Sequence, residues 1–308
     1  MRNWYLFLVV VVFEAYFQGT TQAQAPIERI DWLKGRLLYP GVVLIQRQED
    51  RPRPMRLHLV RVDLRTPGLR LWTTPRLENW KEGEAETIRE TTRDFIRRTR
   101  SGPAQIVLAV NANSFSPWPA PWNGTNPVDI GGLAVNREVV VSPPFNSPSF
   151  IIDHAGQARI RFTEPTFPTA GIVFAVSGMT SCLIDGKPVD SGSDLHPRTG
   201  IGLSVDGRYL VIAVIDGRTR SSQGATVQEL GCWLKSAGAD DGMNMDGGGS
   251  STLAWWNPAS KRPDKCELIN SPVGSRLSFE SSWSEAFYFP TERTVGNNLG
   301  IYFEEEKR

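Results

Sequence analysis

The feature that most constrains this chain is a long series of short apolar segments separated by turn residues. Gly, Pro, Asn and Asp-Gly pairs lie between the segments, and most segments are too short to form a helix. Runs of this kind are typical of β-strands. Segment 210–215 contains no polar residue, so we expect a strand that is covered on both faces. The segments behind this prediction are 57–64, 106–110, 132–135, 139–141, 150–152, 201–205 and 210–215.

Two further segments predict helices. Residues 84–100 are charged, with apolar residues at loosely helical spacing. Residues 226–237 have a clearer start, because Thr226 and Glu229 have the spacing of a capping box and Gly238 is a favourable terminating residue. The predicted fold class is therefore α+β, with a large mixed β-sheet core, a few helices and a single catalytic domain.

The N-terminal residues 1–25 predict a signal peptide. Arg2 precedes an apolar run over residues 4–13, and polar and small residues follow up to Ala25. The run has about ten residues, short of the roughly 20 that cross a bilayer, so we expect no transmembrane span after cleavage. The protein is then exported to a periplasm, the medium or the cell surface. An uncleaved N-terminal anchor is the alternative.

Charge and metal-binding residue types exclude several classes of protein. The chain has 34 Lys and Arg against 33 Asp and Glu, a net charge of +1, which creates no field that gathers nucleic acid. Its three histidines are scattered and no Cys-x-x-Cys occurs, which disfavours a zinc site. Three cysteines allow at most one internal disulfide; we favour Cys232 with Cys266, although spacing leaves the pairing open.

Segment 243–252 is the strongest candidate for chemistry. Asp246 precedes three glycines and three hydroxyl residues. Successive backbone N–H groups in such a loop can form a nest that binds an anion. A flexible hairpin turn is the alternative, and a P-loop is excluded because no Gly-Lys-Ser/Thr follows. The residues expected to bind the ligand are Gly247, Gly248, Gly249, Ser250 and Ser251.

Two arginines form a second candidate group. Arg198 and Arg218 lie at the outer ends of two strands that a turn at 206–208 joins, so we expect both at one edge of a sheet. There, with Thr199, they could clamp a phosphate in bidentate fashion. A structural pair between an arginine and Asp216 is the alternative reading.

The third group begins at Asn111, where a predicted strand runs into polar residues. The loop 116–127 follows, and it carries Trp118 and Trp122 among prolines. Indole faces stack on sugar rings, so this loop predicts a sugar subsite. Packing of tryptophan on proline to stiffen a long loop is the alternative.

Taken in order, these elements resemble the phosphodiester glycosidase family over about residues 106–303. The resemblance implies hydrolysis of the bond between the anomeric carbon of a sugar and a phosphodiester. It divides the chain into a β-rich extension, 26–104, packed on a glycosidase domain, 105–308. Ala112 replaces the glycine that the family usually has, and loop 116–127 resembles an elaboration. The matching elements are 111–115, 132–136, 177–178, 185–189, 196–199, 216–218, 226–229, 244–252 and 292–300.

Three carboxylates are available for this reaction. We expect Asp246 to act as base or nucleophile, and Asp216 to act as an orienting group or second carboxylate. Glu229 is the third carboxylate, unless it only caps its helix. The partner is a phosphorylated carbohydrate of cell-surface or exopolysaccharide metabolism. No cofactor is required, although the oxygen ligands would accept a divalent cation.

Two other functions compete with this interpretation. A phosphodiesterase that cleaves the P–O bond would use the same substrates, but such enzymes often hold two metals with histidines, which are scarce here. A non-catalytic polysaccharide-binding protein would use the same glycine loop and tryptophans. Three carboxylates beside two arginines favour an enzyme over the binding protein.

Overall fold

The computed structural model describes residues 27–102, 104–118, 121–274 and 291–304. The predicted signal peptide lies outside these residues. The predicted fold class is confirmed, because a β-rich core carries two α-helices, α1 (Thr92–Thr99) and α2 (Val227–Ser236). Short 3-10 helices span Trp32–Lys34 and Gly248–Ser250. Within the described residues, no helix has the length and apolar character that a membrane crossing requires.

Most of the short apolar segments form strands, as predicted. In chain order the strands are β1 (Arg36–Tyr39), β2 (Val42–Glu49), β3 (Met55–Asp63), β4 (Leu69–Thr73), β5 (Thr87–Ile88), β6 (Leu108–Asn111), β7 (Phe115–Ser116), β8 (Pro127–Ile130), β9 (Ala134–Asn136), β10 (Val139–Ser142), β11 (Ser147–Asp153), β12 (Ala158–Thr163), β13 (Ile172–Ser177), β14 (Thr180–Ile184), β15 (Lys187–Pro188), β16 (Arg198–Leu203), β17 (Tyr209–Ile215), β18 (Asp241–Asn244), β19 (Leu253–Trp256), β20 (Cys266–Leu268) and β21 (Asn298–Phe303).

The strands form four sheets whose neighbouring strands pair antiparallel. The largest has eight strands in the order β1-β2-β3-β17-β16-β18-β14-β15. Two five-stranded sheets have the orders β10-β9-β13-β11-β12 and β20-β19-β6-β21-β4, and β5-β8-β7 form a small fourth sheet. The N-terminal strands are not a separate layer, since β3 pairs with β17 and β4 pairs with β21.

The central strand β17 is covered on both faces, as its unbroken apolar sequence predicts. Leu210, Ile212 and Val214 face one core, which the two five-stranded sheets complete. Val211 and Ile215 face a second core, which α2 covers. All five side chains are fully buried, so β17 is a rigid base for the residues that follow it.

The two predicted helices differ in how well their bounds were foreseen. Thr226 accepts a hydrogen bond from the backbone N–H of Glu229, and Glu229 accepts one from the N–H of Thr226, so the predicted capping box is present. The prediction of a helix over 84–100 is wrong in its first half. That half contains β5, which pairs with β8, and the helix begins only after its N-cap Thr91.

The preferred disulfide between Cys232 and Cys266 is wrong. All three cysteines are free thiols. Cys232 lies on α2, against the eight-stranded sheet, whereas Cys266 lies on β20 in another sheet. The two thiols therefore belong to different layers of the fold.

The ends of three strands meet at one edge of the eight-stranded sheet. Strand β16 lies between β17 and β18 and runs antiparallel to both. The carboxyl ends of β17 and β18 therefore lie beside the amino end of β16. In register, Arg198 pairs with Ile215 and Gly200 pairs with Asn244. This edge carries the segments that the sequence singled out.

Candidate active site

The loop after β18 is held against two neighbouring strand ends by its backbone. The N–H of Met245 donates to Thr199 O at 2.8 Å, and the N–H of Asp246 donates to Ala112 O at 3.1 Å. The N–H of Gly248 donates to Pro197 O at 2.8 Å. These bonds fix the position of the Asp246 carboxyl relative to the sheet edge.

The predicted nest of free N–H groups needs correction. Besides Gly248, the N–H groups of Ser250 and Ser251 are used within the loop, where they donate to Gly247 O and Gly248 O. Gly249 and the two serine side chains are buried. The loop is a packed 3-10 turn because its donors close on its own carbonyls. Its part in substrate binding stays a prediction.

Glycine is required at positions 248 and 249 because two guanidinium groups lie against this loop. Gly248 has φ +62°, and a Cβ added there would lie 2.9 Å from Arg218 Nη2. A Cβ on Gly249 would lie 2.7 Å from Arg293 Nη2 and 1.4 Å from the carbonyl oxygen of Gly274. Any side chain would therefore displace an arginine or the neighbouring backbone.

Asp246 is a partly exposed residue whose carboxyl group is buried in this cationic setting. Burial raises its pKa to about 6, while the hydroxyl of Ser250, the charge of Arg293 and the N–H of Gly247 act in the opposite direction. Desolvation is the dominant cause because it disfavours the charged form. A carboxyl with this pKa can exchange a proton near neutral pH.

Arg218 lies beside a histidine that the sequence analysis did not select. Its Nη2 is 3.3 Å from His196 Nδ1. A guanidinium only donates, so Nδ1 accepts and the imidazole proton is on Nε2. Burial lowers the pKa of His196, and the charges of Arg218 and Arg198 lower it further. His196 is therefore neutral near pH 7.

The predicted clamp of Arg198 with Arg218 stays a prediction, and the structure gives Arg198 partners in the protein. Arg198 is at the expected sheet edge, but its Nε donates to Ala225 O at 2.9 Å and its Nη2 donates to Asp194 O at 2.8 Å. Those donors hold the backbone around His196. The second arginine at the glycine loop is Arg293, whose Cζ lies 4.3 Å from the ring centroid of Trp122.

Arg293 was missed because nothing in its local sequence distinguishes it from a surface arginine. It follows Glu292, which forms an ion pair with Arg93 at the start of α1. The charges of Asp246 and Arg218 both act on the Arg293 guanidinium, which places the three groups in one neighbourhood. Its membership in the matching segment 292–300 was the available signal.

Asp216 is bonded to protein groups through both of its carboxyl oxygens, and its predicted role as an orienting group or second carboxylate stays a prediction. Its Oδ1 accepts from Asn270 Nδ2 at 3.1 Å and from the N–H of Ser271 at 3.0 Å. Its Oδ2 is 3.1 Å from His58 Nε2. Only 3% of Asp216 is exposed. Because Asn270 Nδ2 also donates to Ser251 O, Asp216 supports the glycine loop from behind.

Three other predicted site residues bond to neighbouring protein groups: Glu229, Asn111 and Thr199. Glu229 closes the capping box and forms an ion pair with Arg53, which favours the capping alternative over a catalytic one. Asn111 and Thr199 are fully buried, so the prediction that they contact substrate is wrong. Asn111 Nδ2 donates to Asp246 O at 2.6 Å, and Asn111 Oδ1 accepts from Thr199 Oγ1 at 2.7 Å.

Trp118 and Trp122, here called the tryptophan platform, stack on each other beside Arg293. Their ring centroids are 5.6 Å apart with an interplanar angle of 26°. Trp122 contacts the arginine, and Trp118 is 59% exposed. The platform thus extends from the glycine loop towards solvent.

Metal-ligating side chains do not cluster in the described parts of the chain. Among those residues, no group of three or more His, Cys, Asp or Glu is arranged to hold an ion. The groups that act on the Asp246 carboxyl are the hydroxyl of Ser250, the charge of Arg293 and the N–H of Gly247. Three features therefore define the candidate active site: a carboxyl, two guanidiniums and a neutral imidazole.

Comparison with known proteins gives the same region a family match. The family model for phosphodiester glycosidases matches residues 104–302. The catalytic domain of zebrafish N-acetylglucosamine-1-phosphodiester alpha-N-acetylglucosaminidase, auto-inhibited by its pro-peptide, superposes with a TM-score of 0.59 at 17% identity. That match covers 89% of this chain and 87% of the zebrafish chain.

A second solved structure shares the fold. A hypothetical protein from Synechocystis superposes with a TM-score of 0.56 at 13% identity, over 85% of this chain and 62% of that one. Identities this low show a common fold and nothing about substrate. A search of the curated proteins finds no match to the sequence.

Proposed function

Because the chain belongs to the phosphodiester glycosidase family, we propose that it hydrolyses a glycosyl-1-phosphodiester. In this reaction water adds to C1 of the sugar, the bond between C1 and the phosphate oxygen breaks, and a phosphomonoester leaves. The name of the zebrafish protein describes the same bond. The substrate is a phosphorylated carbohydrate of cell-surface or exopolysaccharide metabolism.

The observation that carries the proposal is the meeting of Asp246, Arg218 and Arg293 at the glycine loop. A departing phosphomonoester is already a good leaving group and needs little protonation. The main requirement is stabilisation of its negative charge by fixed donors. Arg218 and Arg293 lie against the adjacent residues Gly248 and Gly249. Their guanidinium N–H groups are the fixed donors to the departing phosphate.

Asp246 supplies the group that acts on the sugar side. As a base it accepts a proton from the attacking water, and as a nucleophile it bonds to C1 before water releases it. Its pKa of about 6 leaves it ionised at neutral pH and still able to take up a proton. His196, neutral and in contact with Arg218, orients that guanidinium.

Hydrolysis in heavy-oxygen water tests the proposed bond cleavage. The substrate is the methyl diester of α-N-acetylglucosamine-1-phosphate, and the label is located by mass spectrometry. Label in the free sugar supports cleavage of C1–O. Label in the phosphate would make the protein a P–O-cleaving phosphodiesterase. Binding of this diester in calorimetry without turnover would make it a polysaccharide-binding protein.

Export and cofactor independence are further parts of the proposal. Residues 1–25 then contain the signal peptide, and sequencing of the exported protein is expected to begin after Ala23, because Pro26 disfavours cleavage directly after Ala25. Recovery of the full chain in the membrane fraction would identify an anchor instead. Turnover is expected to survive a chelator, and a loss that a divalent cation restores would contradict cofactor independence.

A further inference from the structure

The loop that follows β17 is bonded to a second segment, residues 51–56, at the beginning of β3. The N–H of Asp216 donates to Arg56 O at 3.0 Å, and the N–H of Gln223 donates to Pro54 O at 2.9 Å. Both ends of the loop are therefore held against this segment. The backbone brings its side chains to the sheet edge that carries the candidate active site.

Residues 51–56 contain three arginines and no carboxylate. Arg53 is engaged, because it forms an ion pair with Glu229. Arg51 is exposed and Arg56 is partly exposed, and within the described parts of the chain neither takes part in an ion pair. We call Arg51 and Arg56 the arginine rim. Guanidinium groups placed in this way can bind the oxygens of a carboxylate or a phosphate.

The strand order determines which part of a substrate would meet the arginine rim. Strands β18, β16, β17 and β3 are neighbours in this order, so Asp246, Arg218 and the rim follow one another along one edge. The predicted sugar subsite at the tryptophan platform lies beside the other arginine, Arg293. A substrate with its C1 at Asp246 and its phosphate at Arg218 therefore directs the group beyond the phosphate towards the rim.

We propose that the alcohol esterified to the phosphate carries a second anionic group, which binds the arginine rim. This inference rests on the proposed function and narrows its substrates to sugar-1-phosphate diesters of acidic alcohols, the repeating unit of an anionic polymer among them. The whole chain has a net charge of only +1. The attraction is therefore a local property of this sheet edge and not a field of the whole molecule.

Three diesters of α-N-acetylglucosamine-1-phosphate test the arginine rim. Their alcohols are ethylene glycol, 3-hydroxypropionate and ethylene glycol monophosphate. The phosphorylated diester is expected to have a KM about fivefold below that of the neutral one, and high ionic strength should remove the difference. A preference shared by the carboxylated diester would identify a general anion site. A preference confined to the phosphorylated diester would identify a phosphate site.

Variants assign the preference to the rim. In Arg56→Gln, KM for the phosphorylated diester is expected to rise about fivefold, while KM for the neutral diester stays within about twofold. Arg56→Lys keeps the positive charge and should retain part of the preference. Arg65→Gln is the matched control, since Arg65 is an exposed arginine just beyond the opposite end of β3.

Two results would overturn the proposal. Equal KM values for the charged and neutral diesters in the unaltered protein would mean that the rim does not meet the substrate. An equal rise for all three diesters in Arg56→Gln would mean that Arg56 only supports the loop that carries Arg218. If the unaltered protein hydrolyses none of them, the proposed function fails instead; calorimetric affinity of Arg56→Gln for the phosphorylated diester, compared with the unaltered protein, then tests the rim alone.

Discussion

Asp216 and Asp246 follow two strands that run in the same direction and end at the same edge of one sheet, yet their surroundings differ completely. Asp216 is buried, and both of its oxygens have partners in the protein. Asp246 is partly exposed beside two arginines, and burial of its carboxyl raises the pKa to about 6. One carboxyl has partners in the protein on both oxygens, and the other is the group that we propose to react.

The difference shows that one sheet edge can hold a carboxyl that stabilises the fold beside a carboxyl that is proposed to react. Hydrogen bonds that satisfy Asp216 come from Asn270 and Ser271, whose loop also reaches the glycine turn. Desolvation raises the basicity of a carboxylate such as Asp246. The support behind the site therefore allows Asp246 to keep its unfavourable environment.

The change with the largest expected effect is Asp246→Asn. It removes the proposed base or nucleophile without changing shape, so kcat on a glycosyl phosphodiester is expected to fall about 1,000-fold. Steady-state kinetics measure it, with circular dichroism to show an intact fold. Turnover within tenfold of the unaltered protein would remove Asp246 from the mechanism.

A comparison of Arg293 with Arg198 sharpens the assignment of the anion site. Arg293→Gln is expected to lower kcat/KM about 100-fold, because a fixed donor to the leaving phosphate is lost. Arg198→Gln is expected to lower it less than tenfold and to reduce the melting temperature, since its donors hold backbone carbonyls. The reverse order of the two effects would restore the clamp of Arg198 with Arg218.

Asp216→Asn is expected to act on stability more than on chemistry. The amide NH2 of the new asparagine then faces a group that donated to the Asp216 carboxylate. Two donors in contact lower the free energy of unfolding by about 2 kcal/mol. Denaturant titration measures this loss, and kcat per folded molecule should stay within fivefold. A large loss of kcat at unchanged stability would return Asp216 to the role of second catalytic carboxylate.

The smallest expected effect concerns the pH dependence of stability. The pKa of Asp246 is higher in the folded chain than its ordinary value of 3.8, so the folded state binds this proton more tightly. Its contribution is complete below about pH 4 and is lost as pH rises through about 6. A shift of this size is worth about 3 kcal/mol in full, and solvent screening at this partly exposed residue reduces it. Asp246→Asn should therefore gain about 1–2 kcal/mol over the unaltered protein at pH 8, and nothing at pH 4. Equal gains at both pH values would contradict the raised pKa.

Local sequence patterns predicted those structural features that depend only on residues close together in the chain. The capping box of Thr226 and Glu229 is such a pattern, as is the unbroken apolar segment of β17. The meeting of Arg198 and Arg218 at one edge followed from the turn that joins two antiparallel strands. These features depend on spacing, which the sequence displays directly.

Contacts between distant residues could not be predicted in this way. His58 meets Asp216 across 158 positions, and Arg293 reaches the glycine loop from the C-terminal part of the chain. The engagement of the N–H groups of Gly248, Ser250 and Ser251 could not be foreseen, because free N–H groups and N–H groups that close a 3-10 turn have the same sequence. Arg198 shows that a residue can lie at the expected edge while its side chain turns to other carbonyls.

The position of β16 between β17 and β18 has a consequence for how the protein matures. A slip of one residue in either pairing would exchange inward and outward side chains and carry Asp246 away from both arginines. A fragment, or an intermediate in which these strands are not yet paired in register, would therefore lack the complete site. Appearance of hydrolysis during refolding should consequently lag behind secondary structure and report the moment when the strands reach their final alignment.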